Sequence, residues 1–149
     1  YKEEKTFREM LPNGNMVVLT AQYYVMFFNK KDDIDRAVLS MSSTQLKTSR
    51  AWNSIIQGIQ LKSSAGKRFN PPMFSHSYRL STQAQSNDRG SWYTYKIALA
   101  GAIRDVDLYV AAKEFNASVK KGDVKIQESE APGASQAKSP TEDASDLEY

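Results

Sequence analysis

Two stretches between Met73 and Ala100 alternate apolar and polar residues with a period of two, a pattern that fits a strand and not a helix. In Met73–Thr82, Phe74, His76, Tyr78 and Leu80 share one parity, and Ser75, Ser77, Arg79 and Ser81 the other. In Trp92–Ala100, Tyr93, Tyr95, Ile97 and Leu99 alternate with Trp92, Thr94, Lys96 and Ala98. Successive side chains of a pleated strand point to opposite faces, so each parity becomes one face. The polar stretch Gln85–Gly90 between them reads as the turn of an antiparallel hairpin. Asn70-Pro71-Pro72 ahead of it excludes helix, because proline lacks an amide donor and restricts the residue before it.

Upstream, Asn13-Gly14 predicts a tight primed turn, with positive φ at both central positions. It separates a strand at Thr6–Leu11 from the β-rich run Met16–Phe28, which holds Tyr23, Tyr24, Val25, Phe27 and Phe28. A polar turn at Asn29–Asp33 leads into Ile34–Met41, the third strand of a meander. At Ser42-Ser43-Thr44 the period lengthens. Leu46, Trp52, Ile55, Ile56 and Ile59 fall on one helical face, with Ser42 or Ser43 placed as N-cap and Gly58 weakening the last turn. The segment Lys62–Arg68 reads as a loop. A second helix starts near Asp105, with Asp105 and Asp107 at its positive end. Leu108, Ala111, Ala112, Phe115 and Val119 form its apolar stripe, and Lys120-Lys121-Gly122 ends it.

The expected chain is therefore mostly β with two helices: three strands, a helix, two strands and a terminal helix. That order matches a five-stranded OB-fold-like barrel with its helix between the third and fourth strands. An α+β sandwich with both helices on one sheet face explains the same string. No internal repeat is visible.

Ile126 is the last residue expected in the core, so residues 1–126 read as one domain and 127–149 as a disordered tail. The tail is rich in Ala, Ser, Pro and acids, with too little apolar mass to offset the entropy of ordering. It carries six acids against Lys138, a net −5, which leaves the preceding 126 residues at +8. A basic body with an acidic end points to an anionic partner. The absence of Cys excludes disulfides, a thiolate nucleophile and a Cys-based metal site, and it suits a reducing cytoplasm. The longest apolar run, Val25–Phe28, is far short of the ~20 residues that cross a bilayer, so no membrane partner is expected. The chain begins at Tyr1 rather than Met, and a segment upstream is expected.

The strongest candidate surface is the outward face of the second hairpin, with Arg79, Trp92 and Lys96 and with Arg89 in the connecting turn. Cations tracking phosphates and a ring stacking on bases are how single-stranded nucleic acid is held. A solvated sheet face, with Trp92 packed under a helix, accounts for the same residues. Lys62, Lys67 and Arg68 make the segment between the helices basic, and Lys47 and Arg50 share part of the first helix's polar side. The spacing at Ser63–Lys67 is not that of a nucleotide-binding Gly-Lys-Ser/Thr loop. His76, the only histidine, is expected as a core residue bonded to a neighbour rather than as a ligand. Asp32, Asp33, Asp35, Asp105 and Asp107 are possible holders of a divalent ion, and more ordinarily turn and helix-start residues. No Gly-x-Ser-x-Gly nucleophile motif occurs. In the tail, Glu142, Asp143, Asp146, Leu147, Glu148 and Tyr149 place two apolar anchors among acids, suited to competing with nucleic acid or to engaging a partner.

Four strings resemble a family of tailed-bacteriophage proteins: Ser42–Asn53, Asn70–His76, Ser86–Tyr93 and Leu108–Phe115, within a likeness that covers most of Met41 to Lys125. The resemblance implies a place in phage replication and recombination modules and single-stranded DNA binding, and assigns no individual residue. The acidic-aromatic end is similar in kind to the tails of bacterial and phage single-stranded DNA-binding proteins, which usually finish on Phe where this chain has Tyr149.

The leading expectation is a non-enzymatic, cofactor-free single-stranded DNA-binding protein of phage replication or recombination. Its tail would serve autoinhibition or recruit phage or host replication and recombination proteins, and homo-oligomerisation stays open. A virion or assembly protein acting through protein–protein contacts is the alternative, and a metal-dependent nuclease using the aspartates the second alternative.

Overall fold

The computed structural model describes residues 9–28 and 33–125. The expected boundary at Ile126, the tail residues and part of the first expected strand lie outside them.

The aromatic run forms β1 (Thr20–Phe28), which pairs antiparallel with β2 (Ile34–Ser42). Register sets Ala21, Tyr23 and Val25 on the same face as Met41, Leu39 and Ala37. A 3-10 turn (Ser43–Gln45) leads into α1 (Leu46–Gly58). Neither serine caps this start: Ser42 makes no capping bond and Ser43 sits at φ 51°. The far end of α1 is held instead by Asn70, whose Nδ2 donates to the carbonyls of Gln57 (2.7 Å) and Ile59 (3.1 Å).

The expected loop between the helices is itself a small hairpin, β3 (Leu61–Lys62) with β4 (Arg68–Phe69). The long hairpin follows as β5 (His76–Asn87) and β6 (Gly90–Ala102). Its strands run further than the alternation alone indicated and close through a two-residue turn at Asp88-Arg89. Met73–Ser75 is a 3-10 turn rather than strand, because Ser75 donates both its amide (3.0 Å) and its hydroxyl (2.7 Å) back to the Pro72 carbonyl. Phe74 therefore leaves the sheet and meets Tyr109 edge-on at 5.4 Å. Then α2 (Val106–Lys121) starts as expected: Asp105 Oδ1 accepts from the amides of Asp107 (2.9 Å) and Leu108 (3.1 Å). Gly122, at φ 76°, ends it in the left-handed region that glycine enters without a Cβ clash.

The first turn is built differently from expectation. Gly14 alone has positive φ, and its amide donates to Leu11 O, so Pro12-Asn13 form the turn and Gly14 the left-handed residue after it. Proline's fixed φ selects that geometry. Among the described residues the hairpin it closes is a single bridge, Met10 to Met16, and Met16–Leu19 precede the strand rather than belong to it.

One core forms where both long hairpins meet α1. Leu39, Met41 and Trp52 are buried at its centre, and Tyr78, Leu80, Tyr95 and Ile97 pack against them. Trp52 joins the hairpins: its ring lies 4.4 Å from that of Tyr23 and 5.6 Å, edge-on, from that of Tyr78. Such pairs contribute about 0.5–1.5 kcal/mol each beyond their burial. Tyr23 Oη also lies 2.6 Å from the hydroxyl of the buried Ser49. Of the face expected inward, Tyr93 and Leu99 are exposed; Tyr93 lies on the outer half of the β5–β6 hairpin, which projects beyond the core as an arm, and Leu99 at its other end, opposite Tyr78.

The chain is mostly β with two helices, but its sheets do not close into a barrel. Three two-stranded sheets stand apart, β1 with β2, β3 with β4 and β5 with β6. Closure would need β1 or β2 to pair with the last hairpin, and a cavity of about 780 Å³ lies between β1 and β5. No helix among the described residues is long and apolar enough to cross a membrane.

Candidate nucleic-acid interface

The register of β5 and β6 fixes which candidate side chains share a face. Arg79 is opposite Ala98, Ser81 opposite Lys96, Gln83 opposite Thr94 and Gln85 opposite Trp92, so Arg79, Lys96 and Trp92 lie on one face. Arg79 and Lys96 are diagonal neighbours, whose Cβ atoms sit roughly 7–8 Å apart in such a ladder. Trp92 is four residues further along β6, about 13 Å away. This face is turned away from the core, because Tyr78, Leu80, Tyr95 and Ile97 occupy the other. Arg79 and Lys96 are exposed. Trp92 is half-buried in a shallow hollow shared with Thr44, Asn87 and Arg89, and its Nε1 is buried without a partner.

The second basic group rides on β3–β4. Lys62 and Arg68 are direct cross-strand partners and point to the same side. Leu61 and Phe69 pair on the other side, both exposed. Lys67 stands in the turn, which is closed by Gly66 N to Ser63 O (2.9 Å) and Ser63 N to Lys67 O (2.9 Å). The third group is Lys47 and Arg50 on α1, three residues apart on its exposed side.

Side-chain bonds fix these groups relative to one another. Gln45 donates to Tyr93 O (3.2 Å) and accepts from Tyr95 N (2.9 Å), and the Thr48 hydroxyl donates to Tyr95 O (3.0 Å). They cover an otherwise open edge of β6 and pin the start of α1 to the arm. Asn70 pins the other end of α1 to the segment after β4. Lys47 and Arg50 therefore lie on the helix that links Arg89 and Trp92 at one end to Lys62, Lys67 and Arg68 at the other, over about 20 Å. Arg79 and Lys96 lie further along the hairpin face that they share with Trp92, so the candidates form two groups that meet at Trp92 rather than one surface.

No described carboxylate neutralises these cations in an ion pair. The reason is legible in the chain: from Arg36 to Arg104 it holds ten Lys and Arg residues and a single acid, Asp88. That stretch, nearly free of acid, is the signal that period and motif reading passed over. Also missed were two exposed rings beside the cations, Phe69 and Tyr93, the latter 71% exposed. Arg36, within the same stretch, is engaged over the Phe115 ring at 5.2 Å. His76 is half-buried, with its Nδ1 2.7 Å from the Ser75 hydroxyl, a neighbour bond of the kind expected. Burial pushes the Tyr78 hydroxyl above its ordinary pKa. Among the described residues no three His, Asp or Glu side chains gather as a metal set, and Asp32 lies outside those residues.

A family model described as Pam3 phage gp34-like protein matches residues 1–125. No curated protein and no solved structure matches the chain.

Proposed function

The chain belongs to the Pam3 phage gp34-like family of bacteriophage proteins, and from that premise we propose that it is a non-enzymatic single-stranded DNA-binding protein of phage replication or recombination. The observation that carries this reading is the unneutralised cationic stretch from Arg36 to Arg104, displayed with exposed rings on α1, β3–β4 and the arm. Lys47, Arg50, Lys62, Lys67, Arg68 and Arg89 track the phosphates and displace their counterions. Bases stack on Phe69, Tyr93 or the open side of Trp92, each worth about 1–3 kcal/mol. Arg79 and Lys96 take a second stretch of strand further along the hairpin face that they share with Trp92. The tail, with its net −5, competes for the same cations in dilute salt and offers phage or host replication proteins a handle. The protein works in the cytoplasm of the infected cell, which is where phage DNA is copied.

Titration of a labelled oligo-dT tests the reading. Binding that weakens steeply with salt and quenches tryptophan fluorescence is the expected result. An oligonucleotide that still tumbles freely with micromolar protein in low salt refutes it.

A second reading, a virion or assembly protein, is favoured by one observation: Met16, Val17, Val18 and Leu19 are 47, 43, 53 and 70% exposed in a row. Contiguous apolar surface of this kind marks protein contacts. Co-purification with phage particles, together with no affinity for nucleic acid, selects it.

A further inference from the structure

The cavity between the two long hairpins has an uncommon lining. Every residue of β1 from Gln22 to Phe28 and every residue of β5 from His76 to Leu80 borders it. Consecutive residues of a strand point to alternate faces, so both parities reach one cavity only along the strand's edge. Each strand pairs on one side alone, and neither β1 nor this part of β5 makes another backbone bond with described residues. Among the described residues two unpaired strand edges thus border one space, a template for an added strand. Trp52, 8% exposed, and Tyr78 also line it, and Trp52 Nε1 and Tyr78 Oη are buried donors without acceptors. No acid borders the cavity, whereas Arg79 does.

We propose that Ala144–Tyr149 of the same chain adds as a strand between β1 and β5, setting Leu147 and Tyr149 against the core and Asp146 and Glu148 beside Arg79. Alternation selects this segment. Leu147 and Tyr149 share one parity and Asp146 and Glu148 the other, which matches the apolar inner face of Tyr23, Val25, Tyr78 and Leu80 and the outer face that carries Arg79. Six extended residues span about 20 Å, comparable with the bordering edges. The tail also starts close by, since Val119 in the last turns of α2 lines the cavity. The 18 residues 126–143 are enough chain to reach roughly 23 Å at random-coil dimensions, and tethering raises the local concentration of the segment. The chain's own first residues fit worse. In them Glu3 and Lys5 share one parity with Tyr1 and Phe7, so a strand there has no wholly apolar face.

The test uses the full chain without nucleic acid. The chain has no Cys, so Thr141→Cys carries a single nitroxide label. The backbone amides of Gln22–Phe28 and His76–Leu80 are expected to lose most of their NMR intensity to the label. They recover it when Leu147→Asp and Tyr149→Asp are added. Unbroadened edges overturn the proposal, as does broadening confined to Lys47, Arg50, Lys62 and Arg68, which would place the tail on the basic surface. Broadening found only when the label sits on an isotopically unlabelled copy also overturns it, in favour of a second molecule. A consequence for regulation rests on the DNA-binding reading. The Leu147→Asp, Tyr149→Asp chain should bind oligo-dT more tightly at low salt, although it is more acidic, because Arg79 is released. Weaker binding by that variant shows plain charge competition and overturns the regulatory role. If neither chain binds DNA, the binding reading fails while the label result stands by itself.

Discussion

Lys62 and Arg68 face each other across a two-residue ladder with no described carboxylate between them. Like charges directly opposite in a sheet are unfavourable, by up to about 1 kcal/mol. A hairpin serving stability alone gains nothing from the pair, so replacing both by glutamine should leave the melting temperature unchanged or slightly raised. Its effect on DNA is the reverse. Each cation that neutralises a phosphate contributes about 0.7 to the slope of log K against log salt for single strands, so the double variant loses about 1.4 from that slope. At 0.1 M salt the same loss lowers affinity about 25-fold. Fluorescence anisotropy of a labelled oligo-dT, titrated at several salt concentrations, reads the slope, and a thermal melt of the same samples reads the fold. A variant that melts like the parent and keeps the parental slope refutes the placement of Lys62 and Arg68 on phosphates. A clear drop in melting temperature refutes the claim that the pair is dispensable for folding.

Gln45→Ala uncovers the Tyr95 amide and the Tyr93 carbonyl, and should cost about 1–3 kcal/mol in urea unfolding. Faster hydrogen exchange at Tyr95 should accompany it, and unchanged exchange would show that Gln45 does not cover the edge. Asp105→Ala removes the acceptor of two helix-start amides, with an expected loss of about 1 kcal/mol by the same measurement. Tyr78 predicts an alkaline loss of stability. With its folded pKa raised by burial above the ordinary 10.0, the unfolded chain releases the proton first, so its contribution is full below that value and declines as pH climbs through the folded one. Urea midpoints from neutral to strongly alkaline pH should fall less in Tyr78→Phe than in the parent, and parallel curves would contradict the shift.

Strict alternation was enough to place the β5–β6 hairpin and to set Arg79, Lys96 and Trp92 on one face, because parity is a local property of the backbone. The second helix was legible for the same reason: Asp105 caps its start and Gly122 its end through bonds spanning a few residues. The third expected strand, Ile34–Met41, likewise matches β2 to within one residue. The β3–β4 hairpin was not legible, since two residues a side give no period, and its lone marker was Gly66 at φ 77°. Asn70 looked like a residue ahead of two prolines, and only its distance to Gln57 and Ile59 makes it a helix cap.

By itself the sequence determined strands, helices, their faces and a cationic stretch nearly free of acid. The tertiary structure decided which strands are neighbours, and there the expected barrel gave way to separate hairpins joined through Trp52. Alternation specifies the face of a strand and is silent about its edges, because backbone amides and carbonyls are the same in every residue but proline. Whether β1 and β5 pair with each other or keep a cavity between them depends on how Tyr23, Trp52 and Tyr78 pack, side chains that lie far apart along the chain.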